Sequence, residues 1–183
     1  MSKSLNTLIA SLLLAGTGHA FAASSVDLSV KGLITPSACT PALSDGGVHE
    51  IGKLSVKDLK VDTYTHLPDH TLQLTVTCEA ATLMAIEPKD NRAGSDFLNE
   101  PSYFGLGLIN GSEKLGSMSM VLGTVTADGV AARAIESLNG GTTWTRHSSV
   151  SPDRITSVAN TGSLVPIPTQ LFAAELTLSP IIA

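Results

Sequence analysis

The sequence holds little of what catalytic or nucleic-acid-binding chains are usually built on. It has two cysteines in 183 residues, with no paired histidines beside them, which is too few ligands for a zinc site. Basic residues are outnumbered 11 to 16, for a net charge of −5, and the excess of acid is spread along the chain. Nucleic acid is therefore not an expected partner, and the mild bias speaks for solubility. Aromatic residues are only 4% of the chain. Trp144 is accordingly expected in a core, with a sugar-stacking face of Trp144 and Tyr103 as the lesser reading. No Gly-x-Ser-x-Gly elbow, phosphate-binding glycine loop or His-Glu-x-x-His is present. No segment after the N-terminus approaches the roughly 20 apolar residues that a membrane-spanning helix needs.

What is present begins with a leader. Lys3 precedes an apolar run over residues 8–15, and Ala20 and Ala22 supply the small residues of a signal-peptidase site. Residues 1–22 read as a secretory signal peptide and residues 23–183 as a single exported domain. About 160 residues suit one core.

The chain is organised around the stretch from Val26 to Cys78. Val26, Leu28 and Val30 alternate with Asp27, Ser29 and Lys31, and Leu72, Leu74, Val76 and Cys78 alternate with Gln73, Thr75 and Thr77. Period two marks strands with one buried face, and Cys78 falls on that face. Cys39 is the one thiol that can meet it. In an exported chain the pair is expected as a disulfide, with two buried thiols as the alternative. A bridge closing a loop of about 40 residues contributes on the order of 4 kcal/mol in the chain-entropy model.

Turn sequences punctuate the remainder. Asp45-Gly46-Gly47, Asn110-Gly111, Asp128-Gly129 and Asn139-Gly140-Gly141 each lie between apolar segments and read as hairpin turns. One hairpin is expected to pair residues 104–108 with 115–122 around Asn110-Gly111. Another pairs residues 134–138 with 142–145 and puts Trp144 on a strand. Residues 83–87 read as a strand, residues 147–162 as a polar loop interrupted by Pro152, and residues 55–59 as a single capped helical turn. Phe172, Ala174, Leu176 and Leu178 alternate with Ala173, Glu175 and Thr177 as a late core strand. Many short strands, little helix and one cross-link describe an all-β sandwich.

Lys31-Gly32-Leu33-Ile34 followed by Cys39, Gly52 ahead of Leu59, and the run ending in Cys78 together resemble the first half of a chaperone–usher pilin subunit. Phe104-Gly105-Leu106-Gly107-Leu108, the Ala127-Asp128-Gly129 turn and the strand after Gln170 are similar to segments of a fimbrial-like group of secreted proteins. The resemblance implies an incomplete immunoglobulin-like β-sandwich whose final strand is supplied by a partner. It also implies a periplasmic pilus chaperone, an outer-membrane usher and neighbouring fimbrial subunits as partners, and passage through the periplasm to a fimbrium at the cell surface. Val26, Leu28 and Val30 have the form of a donor strand that fills a neighbour's groove. They equally suit the first strand of the domain itself. At the other end, Pro180-Ile181-Ile182 follows without the tyrosine-containing last strand of pilins. Either residues 171–178 are the final strand or the sequence stops early, and the early stop is the expectation.

No catalytic, metal or cofactor-binding residues are expected. His66, Asp69 and His70 lie close together, but Pro68 prevents the helix that would align the two histidines, so a polar loop is expected there. His49 beside Glu50 and the charged run Lys89-Asp90-Asn91-Arg92 read likewise as surface, and Asn110-Gly111-Ser112 as a hairpin turn rather than a glycosylation site. The alternative to a fimbrial subunit is a self-complete secreted sandwich that binds a surface glycan or protein.

Overall fold

The computed structural model describes residues 38–183. The leader, Val26, Leu28 and Val30 lie outside the described residues.

Twelve strands follow in order among the described residues: β1 Cys39–Leu43, β2 Thr65–His66, β3 His70–Thr82, β4 Phe104–Gly105, β5 Leu108–Ile109, β6 Glu113–Lys114, β7 Gly116–Ala127, β8 Val130–Ser137, β9 Thr145–Arg146, β10 Ser149–Val150, β11 Ile155–Asn160 and β12 Thr169–Ile182. The protein is an all-β, immunoglobulin-like sandwich with one disulfide, and every strand ladder is antiparallel. One layer runs β1-β3-β12-β7, and the other is built on β8 and β11.

The first layer follows from its alternation. Leu72, Leu74, Val76 and Cys78 of β3 point inward beside Phe172, Ala174, Leu176 and Leu178 of β12 and Leu122, Val125 and Ala127 of β7. Their neighbours along each strand are mostly more exposed. Central β12 is longer than the sequence pattern indicates, because it continues through Pro180 to Ile182. Pro180 is accommodated where β3 has ended and β2 takes over: β3 pairs as far as Leu178, and β2 pairs from Ile181. A proline lacks only a donor, and its carbonyl still accepts the Leu67 N–H at 3.0 Å.

The layers are joined by the Asp128-Gly129 turn. Both residues have positive φ, 51° and 78°, as a two-residue hairpin requires. The Asp128 carboxylate then accepts the backbone N–H groups of Gln170 and Leu171, at 3.0 and 2.7 Å, fixing the entry to β12. A bulge in the β7–β12 ladder, where Ala174 meets Val125 and Leu176 meets Leu122, twists β7 just before this turn.

Four expectations are corrected. Residues 147–162 are not a loop: β10 and β11 lie there, and Val158 and Ala159 of β11 are fully buried. Thr156 and Ser157 are buried with them, so β11 carries no alternation by which it could be read. Residues 83–87 make only a bridge between Ile86 and Thr156 rather than a full strand, because they meet β11 at one point before Pro88. The arm at 104–108 is split, since Gly107 sits at φ 101°; β4 pairs with β7, while β5 pairs with β6 around Asn110-Gly111-Ser112. Trp144 precedes β9 rather than lying on it, and it is half-buried over Gly141 rather than in the core. Among the described residues helix is confined to short 3-10 turns; in that at Val56–Asp58 the Ser55 hydroxyl accepts the Lys57 N–H.

Candidate functional site

Cys39 and Cys78 stand directly opposite each other in the β1–β3 ladder and are joined as a disulfide. The bridge ties the start of the described domain to its central layer across a segment, residues 44–64, with little regular structure. Within that segment Val48, Ile51, Leu54, Val56, Val61 and Tyr64 are exposed. Phe172, Ala174, Leu176 and Leu178 are all buried in the middle of the same layer.

The histidines do not converge. His66 pairs with Ile181 in a strand, whereas the His70 ring stacks on His49 with centroids 3.9 Å apart and planes 12° from parallel. Among the described residues no three His, Cys, Asp or Glu side chains are gathered as a metal would need. Tyr103 and Trp144 are likewise not one face: Tyr103 lines a depression with Met120 and Arg154, while Trp144 lies over the Gly141 turn with Ile155.

Two polar nodes escape sequence reading because their members are far apart in the chain. In the first, the buried Glu136 carboxylate accepts from Arg154 at 2.7 Å, and Arg154 also grips Asp153 with two N–H groups at 2.9 and 3.0 Å. Hydrogen bonds to Asp153 and then Glu136 push the Arg154 pKa further up, and the same contact holds the Asp153 carboxyl below its ordinary value. His147 Nδ1 lies 3.2 Å from Glu136 but accepts the Ser149 N–H at 3.1 Å.

In the second node Asp96 accepts the N–H groups of Leu98 and Glu100, at 3.1 and 2.7 Å, and the Ser117 hydroxyl. Ser117 in turn accepts the N–H of Phe97 at 2.8 Å. Both nodes commit their carboxylates to fixed donors. They hold loops in place rather than offering an acid or base to a substrate.

The remaining feature with chemical reach is a strand edge. Residues 83–87 lie beside β11, with Met84 buried and Leu83 exposed. Ile86 exchanges both of its backbone hydrogen bonds with Thr156, at 2.7 and 2.9 Å, and the Ser157 hydroxyl donates to the Met84 carbonyl at 2.6 Å. Among the described residues no ladder forms on the other side of this segment.

Comparison with known proteins places the chain in a family. The chain is 34% identical over 136 residues to the uncharacterized protein YhcF of Escherichia coli strain K12, covering 61% of this chain and 57% of that protein. It is 32% identical over 116 residues to the protein GltF of the same strain, covering 51% of this chain and 46% of GltF. The chain thus spans about half the length of the curated relatives it matches. No solved structure matches it. Residues 28–131, more than half of the chain, match the model of a family described as proteins of unknown function, and the chain belongs to that family, DUF1120.

Proposed function

We propose that this chain is a structural subunit of a bacterial surface fimbria, assembled by chaperone-assisted β-strand complementation and contributing to cell adhesion. The observation that carries the reading is the edge at residues 83–87. A four-stranded layer, β1-β3-β12-β7, is covered by a second layer of two long strands that ends on a segment held by one bridge. An extended peptide added there gains main-chain hydrogen bonds and sets alternate apolar side chains against the core. Val26, Leu28 and Val30 of a neighbouring copy have that alternation. An edge left bare is an aggregation hazard, which is the physical reason such a domain needs a chaperone in the periplasm before the usher and the next subunit take over.

The reading requires no catalysis, cofactor or nucleic acid. Export follows from the leader, and the disulfide suits an oxidising compartment.

The test is periplasmic expression of residues 1–183 with and without a pilus-type chaperone, followed by gel filtration. Soluble protein found only as a one-to-one chaperone complex supports an assembly subunit. A stable monomer formed without the chaperone overturns it. Leu28→Asp separates the two roles of the N-terminal strand: lost polymer with an intact monomer assigns it as donor, whereas an unfolded monomer assigns it to the domain itself.

A further inference from the structure

β7 and β8 are hydrogen-bonded only next to their shared turn, at Thr126 with Ala131 and Ala127 with Val130. Past these pairs β8 leaves for the second layer. Its edge is next met by β9, at Ile135 and Glu136, while β7 is met by β10 at Met120 and Val121. The short chain from β9 to β10 therefore crosses from one strand to the other, fastened by the Leu122 N–H to the Ser148 carbonyl at 2.7 Å. The three segments ring a hollow of about 440 Å³, lined among others by Leu122, Gly123, Arg133, Arg146, His147 and Ser148.

Two arginines and an imidazole gathered on one hollow stand out in a chain of net charge −5. Of the two carboxylates nearby, one is paired with a cation and the other is held by a hydroxyl. Glu136 is held by Arg154 at 2.7 Å, and Glu175, across the β7 wall, accepts the Thr124 hydroxyl at 3.1 Å. Arg133 shows the clearest want of a partner: its Nε is buried and makes no hydrogen bond. Guanidinium groups favour planar anions, to which they present parallel N–H donors. The apolar wall at Leu122 and the volume suit a body of sugar size rather than a bare ion, since ligand pockets begin at roughly 300 Å³.

We propose that this hollow binds a small organic acid of about the size of one sugar ring, with its anionic group against Arg133 and Arg146. The site goes beyond the assembly reading and does not depend on it. Arg133 and Arg146 also lie outside residues 28–131, the part that matches the family.

The experiment is calorimetric titration of the full exported chain, as monomer or chaperone complex, with D-glucuronate, D-glucose and inorganic phosphate at low ionic strength. Saturable one-to-one binding of glucuronate is expected, with glucose silent. Arg146→Glu should weaken binding at least tenfold. Lys57→Glu makes the same change in net charge on the distant Val56–Asp58 turn and should leave the affinity within twofold. Arg146→Gln, which removes the charge without reversing it, should also weaken binding. Phosphate that displaces glucuronate supports recognition through the anionic group. The proposal is overturned if glucuronate does not bind saturably, if glucose binds as well, if phosphate binds where glucuronate does not, or if the Arg146 and Lys57 variants behave alike.

Discussion

β12 in the first layer and β11 in the second are both buried strands, yet they are built on different rules. β12 alternates: Phe172, Ala174, Leu176 and Leu178 turn inward, while Leu171 and Glu175 between and beside them face out. One face meets the core and the other is much more open, so polarity tracks direction. In β11 four consecutive residues, Thr156 to Ala159, are buried. Polarity there tracks hydrogen bonding instead, as in Ser157, whose hydroxyl is satisfied by the Met84 carbonyl. A strand closed in on both sides can thus look like a polar loop in sequence.

The comparison can be broken or sharpened by substitution, beginning with the largest effect. Phe172→Ala, at a fully buried position in the middle of the first layer, should cost about 3–5 kcal/mol by urea denaturation. Joint replacement of Cys39 and Cys78 by serine should cost about 4 kcal/mol and sharply lower folded yield in the periplasm. Yields equal to wild type would remove the bridge from the account of this layer. Val158→Ala tests the second layer in the same way: a loss of about 2 kcal/mol is expected if β11 is core, against almost none for a surface loop.

The smallest effect belongs to the loop that leads into β11. The Asp153 carboxyl is held below 3.8, first by its hydrogen bond from Arg154. Its contribution is therefore complete above that ordinary value and disappears as pH falls through the lower folded-state value. Asp153 is about a third exposed, so the pair is worth no more than about 1 kcal/mol. Asp153→Asn should be slightly less stable than wild type at pH 5, with the difference shrinking below pH 3.8 in denaturation measured across that range.

Much of the fold was legible, residue by residue, where a local rule applied. Leu72 to Cys78 and Phe172 to Leu178 were readable by period, and Asp128-Gly129 by the positive φ that its turn demands. The inward register of Cys78 pointed to its partner. Where a rule depended on a distant neighbour, reading failed. Residues 83–87 have strand-like composition, but the length of their ladder depends on what lies beside them, and only Thr156 bridges to Ile86. Trp144 reads as core by its type, whereas the Gly140-Gly141 turn keeps it half-buried beside Ile155. The candidate site was less legible still. Arg133, Arg146 and His147 carry no motif, and no spacing links them before β7 and β8 diverge.

By itself, then, the sequence determined the strand class, the cross-link and the Asp128-Gly129 turn, because each rests on backbone preference or on side-chain alternation within a few residues, whereas Asp45-Gly46-Gly47, read as a hairpin turn, is a 3-10 turn after β1. The tertiary structure decided which strands share a layer, which buried hydroxyls and carboxylates are satisfied, and where two arginines and an imidazole surround a hollow. Those outcomes depend on packing between segments tens of residues apart, and no local pattern encodes them.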